Sequence, residues 1–281
     1  MREQKIGIIN PGEMGVSIAA AAQHSGAQVY WASAGRSSDS LGRALQHHLI
    51  DAGTLEQLCT TCTLIISVCP PHAAEQVAGA VLAHGFRGLY LDGNAISPQC
   101  AHRIHDRMSA AGVDFVDGGI IGGPAWTSGG TRLYLSGARA EEAAACFTGS
   151  PLECVLLGEQ TGSASALKMC FAAYTKGSTA LLGAILAAAE YWQVREPLAA
   201  QWALGDPGFP EQATRRVSRS TAKAWRFAGE MEEIAATFMG AGVPGGFHQA
   251  AAEIFRRQAQ FKDDPEPPTL EAVLEALLAD Q

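Results

Sequence analysis

The sequence lacks several features that would have settled its class at once. It has no excess of positive charge: 20 Lys and Arg stand against 28 Asp and Glu, a net charge of −8. That balance argues against nucleic acid or an anionic membrane surface as a partner. No uninterrupted apolar run reaches the ~18 residues that a membrane span requires. The opening Met1-Arg2-Glu3-Gln4-Lys5 leads straight into a strand-like stretch without a signal-peptide pattern, which predicts a cytoplasmic protein. The seven cysteines are odd in number and scattered, as reduced thiols are and a disulfide framework is not. Cys59 and Cys62 form a C-x-x-C pair, but there is no second pair to complete a zinc site and no thioredoxin-like context, so no metal is expected. Internal repeats and low-complexity segments are also missing.

What is present is a chain of 281 residues, 47% hydrophobic, long enough for a large core and two domains. Lys5–Ile9 reads as a buried strand. Asn10-Pro11-Gly12-Glu13-Met14-Gly15 follows, and then a helix of small residues to His24. Strand, tight turn and helix are the context that turns a glycine pattern into a dinucleotide fingerprint. Gly12 would let the backbone approach a pyrophosphate, Gly15 would let the helix pack on the strand, and the helix N-terminus offers free N–H groups to the phosphates. The first glycine of the pattern is replaced by Asn10, a residue that enters the left-handed region more readily than most.

Gln28–Trp31 reads as the second strand. A site selective for NAD would carry an acid at its end to hold the ribose hydroxyls, and none occurs before Asp39. Ser33, Arg36 and Ser37 are there instead, suited to a 2′-phosphate. NADP is therefore the expected cofactor, with NAD as the alternative.

The alternation continues with strands near 63–68, 88–92 and 113–117 and helices between them, which predicts a parallel sheet with its ligand site at the strands' carboxyl ends. Cys69, Pro70, Asn94 and the segment from Asp117 to Pro124 all fall at such ends. Two more strands, 131–136 and 153–157, close the domain. Beyond Gly158 the pattern is helical: one long helix from Ser163 to about Trp192, apolar on several faces, then shorter ones. The expected architecture is α/β, a Rossmann-type doubly wound sheet domain at 1–160 followed by an all-α domain at 161–281.

Lys168 sits one to two turns into the long helix among small and apolar residues. An ammonium there must be expelled to water, paired or deprotonated. Ser165, Ala172 and Thr175 lie at i−3, i+4 and i+7 from it, on or near its face. Thr175 is thus a candidate polar neighbour. Ile121 and Trp126 would make the pocket apolar. His248, after the Pro244-Gly245-Gly246 turn, is a candidate to reach the crevice from the second domain or a partner subunit.

The fingerprint, Asp92-Gly93-Asn94, Asp117 to Gly123, and Gly162 with Lys168 occur in the order that resembles the β-hydroxyacid dehydrogenases, relatives of 6-phosphogluconate dehydrogenase. Ala164–Met169 with Tyr174-Thr175-Lys176-Gly177 is similar to a branch with a distinctive helical C-terminal domain. The resemblance implies that Lys168 is the proton donor or acceptor for the substrate hydroxyl. It implies that Gly122 and Gly123 bind substrate through backbone N–H groups and that Asn94 lies near the nicotinamide. Ile121 replaces a serine that usually holds the substrate carboxylate, and Ala172 replaces an asparagine that usually supports the lysine. The expectation is an NADP-dependent oxidoreductase acting on a hydroxyacid-like alcohol or carbonyl, working as a homodimer on a small molecule. An imine reductase and a non-catalytic NADP sensor are the alternatives, the first of which would carry another residue at position 168.

Overall fold

The computed structural model describes residues 4–262, 264 and 266–279. Met1–Glu3 and parts of the expected loop at 263–268 lie outside the described residues. The chain divides into two compact units after Met169.

The first unit is built on eight strands: β1 (Lys5–Ile9), β2 (Gln28–Trp31), β3 (Ile50–Asp51), β4 (Leu64–Ser67), β5 (Leu89–Asp92), β6 (Asp114–Gly122), β7 (Thr131–Ser136) and β8 (Glu153–Leu156). Their order in the sheet is β3-β2-β1-β4-β5-β6-β7-β8. Every pairing is parallel except β6 with β7. The strands alternate between two apolar layers. Ile6, Ile8, Leu64, Ile66, Leu89, Leu91 and Val116 face one, while Ile9, Ile65, Tyr90 and Phe115 face the other. A sheet covered on both sides explains why these strands read as continuous apolar runs. The side on which successive strands are added reverses between β1 and β4, which opens a crevice at their carboxyl ends.

Helices α1 (Glu13–His24), α2 (Ser38–Gln46), α3 (Leu55–Thr61), α4 (Ala74–Ala83), α5 (Pro98–Ala110) and α6 (Ala140–Ala145) connect the strands. Sequence reasoning passed over α2, β3 and α3. Their punctuation is nevertheless local: Ser37 caps α2 by accepting from the Ser40 N–H, and Thr54 forms a capping box with Gln57 at α3.

α7 (Ser163–Tyr191) begins in the first unit and continues into the second. By length and composition it passes the measure of a membrane span, with 39% of the relevant window buried in the chain. The count of uninterrupted apolar residues misses this, because Lys168, Thr175 and Lys176 punctuate an otherwise apolar helix. The second unit adds α8 (Arg195–Gly205), α9 (Phe209–Ser220), α10 (Ala224–Gly240), α11 (Gly246–Arg257) and α12 (Leu270–Leu278). Leu182, Leu186, Val217, Val273, Leu274 and Leu277 make a core of α7, α9 and α12. A short 3-10 turn at Thr221–Lys223 joins α9 to α10. Such a turn keeps the helical appearance of the sequence across the boundary.

Candidate active site

The fingerprint turn is built as its residues require. Asn10 adopts a left-handed conformation, φ 63°. A Cβ on Gly15 would lie 2.5 Å from the Asn10 carbonyl oxygen, so only glycine allows α1 to start this close to β1. A Cβ on Gly12 would meet nothing within 4 Å. The space over that glycine is open, and α1 has no side-chain cap. Open space above uncapped N–H groups suits a pyrophosphate, so these residues fit a dinucleotide. Glu13 is exposed and Pro11 buried at the same turn, with Met14 half-buried.

Two arginines converge on this turn. Arg36 donates from Nη1 to Asn10 Oδ1. Arg43, on α2, donates from Nε to the Pro11 carbonyl at 3.0 Å. Sequence reasoning named Arg36 and missed Arg43, whose only signal was a cation in the segment after the second strand. Ser33 is half-buried, and Arg36 and Ser37 are exposed. The Ser37 oxygen also serves as the α2 cap, accepting from the Ser40 N–H.

At the ends of β4 and β5, Asn94 sits in a buried polar network. Asn94 Oδ1 accepts from the Cys69 N–H at 2.6 Å, and Nδ2 donates to Ser67 Oγ at 3.2 Å and to Asp92 Oδ2 at 2.9 Å. The Asn94 N–H also donates to Asp92 Oδ1. Asn94 therefore clamps the Cys69–Pro70 loop to the neighbouring strand, and its amide is engaged at both ends. Burial pushes the Asp92 carboxyl up to about 7; the nearby Asp117 charge adds to this, and the Asn94 hydrogen bonds oppose it.

Asp117, at the middle of β6, is fully buried. Its Oδ1 accepts from Ser165 Oγ at 2.5 Å, and its Oδ2 from the Ser165 N–H and Ser136 Oγ, both at 3.0 Å. Ser136 Oγ in turn accepts from the Ala164 N–H at 3.1 Å. A carboxylate and a hydroxyl thus satisfy the first turn of α7, where negative charge is favoured. Lys168 follows one turn later and is half-buried. The helix lies against β6 at Gly119, where a Cβ would sit 2.6 Å from the Ala164 oxygen and 3.2 Å from the Lys168 Cβ. Gly118 and Gly119 are therefore strand residues kept bare for close approach, beyond the strand end expected at residue 117. Sequence reasoning quoted Asp117 and Ser165 without their pairing and missed Ser136.

Ile121 is half-buried and pairs in register with Arg132. Gly122 is required by the hairpin itself: its φ is 127°, and a Cβ would lie 2.3 Å from the Gly130 oxygen. Gly123 is open, with its carbonyl accepting from Thr131 Oγ1 at 2.6 Å. Trp126 does not line an apolar pocket. It is exposed and stacks on His47, at the end of α2, with ring centroids 4.8 Å apart.

Thr175 and His248 belong to the helical unit. The Thr175 hydroxyl donates back to the Phe171 carbonyl at 3.2 Å, a helix-interior habit of threonine. His248 is buried, edge-on to Phe238 and Phe247, and its Nδ1 has no partner among the described residues. Desolvation lowers its pKa. Cys59 and Cys62 are free thiols in the core, pushed up to about 11 and about 12 chiefly by burial.

Residues 5–147 match the model of the NAD binding domain of 6-phosphogluconate dehydrogenase. Residues 189–258 match a domain of unknown function, DUF1932. Among solved structures, a conserved protein of unknown function, MTH1747, described as structurally similar to 3-hydroxyacid dehydrogenases, is 27% identical. The match covers 91% of this chain and 97% of that one, with a TM-score of 0.66. A Mycobacterium tuberculosis 3-hydroxyisobutyrate dehydrogenase with L-serine is 16% identical over 99% of this chain and 100% of its own, TM-score 0.69. An imine reductase from Myxococcus stipitatus (V8 variant) with NAD+ is 16% identical over 99% and 100%, TM-score 0.58. The last two share the fold. No curated protein matches the chain.

The Asp92 network carries a pH signature. An unfolded aspartate titrates near 3.9, whereas the folded state holds this proton up to about 7. Between those values the folded state binds more protons, so stability falls as pH rises, by on the order of 4 kcal/mol for this group. Urea midpoints measured from pH 4 to 8 should show that decline, and Asp92→Asn should flatten it whatever its effect on absolute stability. Parallel profiles for the two proteins would refute the assignment.

Proposed function

The chain belongs to the family built on the NAD binding domain of 6-phosphogluconate dehydrogenase, and from that premise we propose an NADP-dependent dehydrogenase or reductase that interconverts an alcohol and a carbonyl, with Lys168 as general acid and base. The observation that carries this reading is the placement of Lys168. A buried carboxylate holds the start of its helix, and its Cβ packs on β6 at Gly119, two residues before Ile121. The dinucleotide, when bound, supplies or accepts the hydride. The chain's own residues do the rest. The Gly12 turn and the first turn of α1 receive the pyrophosphate, and Ser33, Arg36 and Ser37 receive the 2′-phosphate. The neutral Lys168 amine takes the hydroxyl proton during oxidation and returns it during reduction.

Ile121 sets the character of the substrate. It cannot donate a hydrogen bond and would desolvate a carboxylate placed beside it. Substrates bulkier and less polar than the smallest 3-hydroxy acids suit this crevice. A lysine at position 168 favours alcohol–carbonyl chemistry over imine reduction.

The assembly we propose is a homodimer joined along α7. Leu167, Phe171, Tyr174, Leu181, Ala188 and Trp192 are exposed, with Ser178 and Ile185 half-buried between them. Their spacing alternates four and three, the heptad seam along which a second helix packs.

Three outcomes are expected. NADP should bind more tightly than NAD, and Arg36→Ala should lose roughly 10- to 100-fold in NADP affinity, the worth of a charge-assisted hydrogen bond. Titrations giving equal affinities in the wild type would reject that selectivity. Lys168→Met should fold and bind NADP yet turn over about 100- to 10,000-fold more slowly in a screen of hydroxyacids, keto acids and aldehydes. Near wild-type turnover in this variant would remove the lysine from the mechanism. Sedimentation should give a dimer that Phe171→Glu dissociates, and a stable wild-type monomer at micromolar concentration would rule the assembly out.

A further inference from the structure

The helical unit contains a cavity of about 550 Å³, all of whose lining residues come from that unit. Its walls include Lys176 from α7, Arg215, Arg216 and Arg219 from α9, and the rings of Phe227 and Phe255. The two rings meet edge to face, with centroids 5.3 Å apart. No carboxylate is among the lining residues.

The charges around this cavity do not cancel. Lys176 pairs with the buried Glu230, and its Nζ lies 4.9 Å from the centroid of the Phe227 ring. Arg215 makes a loose ion pair with Glu211 at 3.6 Å, both side chains largely exposed. Arg216 is held by neutral acceptors only. Its Nε donates to Thr179 Oγ1 at 2.7 Å and its Nη2 to the Thr175 carbonyl at 2.7 Å and to Ser178 Oγ. Its guanidinium is therefore fixed in place without a counter-charge among the described residues. Arg219 has neither hydrogen bond nor ion pair among the described residues. The two lie three residues apart, and Arg215 and Arg219 four apart, so like charges crowd one face of α9. Such crowding opposes the helix, and an anion between them relieves it. The volume is that of a small-molecule pocket, with convergent polar groups above an apolar floor.

We propose that this cavity binds a small organic anion: an oxyanion head, phosphate or carboxylate, held by Arg216 and Arg219, carried on an apolar body that rests on Phe227 and Phe255. Guanidinium groups suit either head through charge-assisted hydrogen bonds. The site lies outside the residues assigned to the nucleotide and to proton transfer.

The test is calorimetric titration of the full-length protein, saturated with NADP so that the nucleotide turn is filled, with phenyl phosphate and, separately, benzoate. Saturable binding of one molecule per chain is expected for at least one of them, and the tighter of the two identifies the preferred head. Inorganic phosphate should bind more weakly, for want of an apolar body. Arg219→Gln changes an exposed side chain and should weaken binding about 10-fold or more, while NADP affinity stays unchanged. Arg216→Gln should weaken it as well, but this residue also ties α9 to α7, so Arg219→Gln is the deciding variant. Absence of saturable binding of both probes at millimolar concentration, or affinity unmoved by Arg219→Gln, would overturn the proposal. Because NADP binding is read independently, either failure leaves the reading of the nucleotide site standing or falling on its own.

Discussion

The carboxylate of Asp117 lies fully buried where β6 passes beneath the start of the longest helix, and the first unit's crevice takes its shape from that contact. A buried negative charge is costly unless its lone pairs are filled. Here two hydroxyls and a backbone N–H fill them, and the partial positive end of α7 adds a favourable field. The arrangement works in both directions: the helix start needs acceptors for its unpaired N–H groups, and the carboxylate needs donors. Gly119 completes the contact by leaving out the side chain that would hold helix and strand apart. Lys168 inherits its position from these three elements, since one helical turn after a fixed start leaves it little freedom.

The neighbouring strand end answers the same problem with different means. Asp92 lies opposite Asp117 in the sheet register. Among the described residues it is served by Asn94 alone, through one backbone and one side-chain donor. Burial raises the Asp92 carboxyl. The result is a rigid floor of Ser67, Asp92, Asn94, Asp117 and Ser136 under the crevice.

Much of this fold was legible because a sheet buried on both faces leaves runs such as Leu64-Ile65-Ile66 that only a central strand accommodates. The nucleotide turn was legible because its glycines have local work. Other elements were silent for physical reasons. α2 has a single apolar turn, Leu41, Ala44 and Leu45, of which only Ala44 is buried, and β3 has two residues at the sheet's edge, so both signals are short. Gly118 and Gly119 read as lying beyond the strand end because glycine usually marks one. Their real constraint is non-local, the Asp92 carbonyl on one side and Ala164 on the other. The roles of Asp117 and Ser136 were hidden in the same way: a polar residue in a strand declares its partner only when the chain 28 to 48 residues further on is in place. Asn94 was recognised, but its engaged amide could be seen only in three dimensions.

The tip of the β6–β7 hairpin is bounded by Gly122 and Gly123 on one side and by Gly129 and Gly130 on the other. Gly122 takes backbone angles that side chains rarely adopt, and the hairpin closes through its contact with Gly130. Between these limits, Pro124, Trp126, Thr127 and Ser128 are exposed, and only Ala125 is anchored in the core. The tip is therefore a module that natural variation can rewrite without touching the sheet, the helix start or the lysine. Descendants of this scaffold can diversify that tip while the sheet and the start of α7 pass from one to the next unaltered.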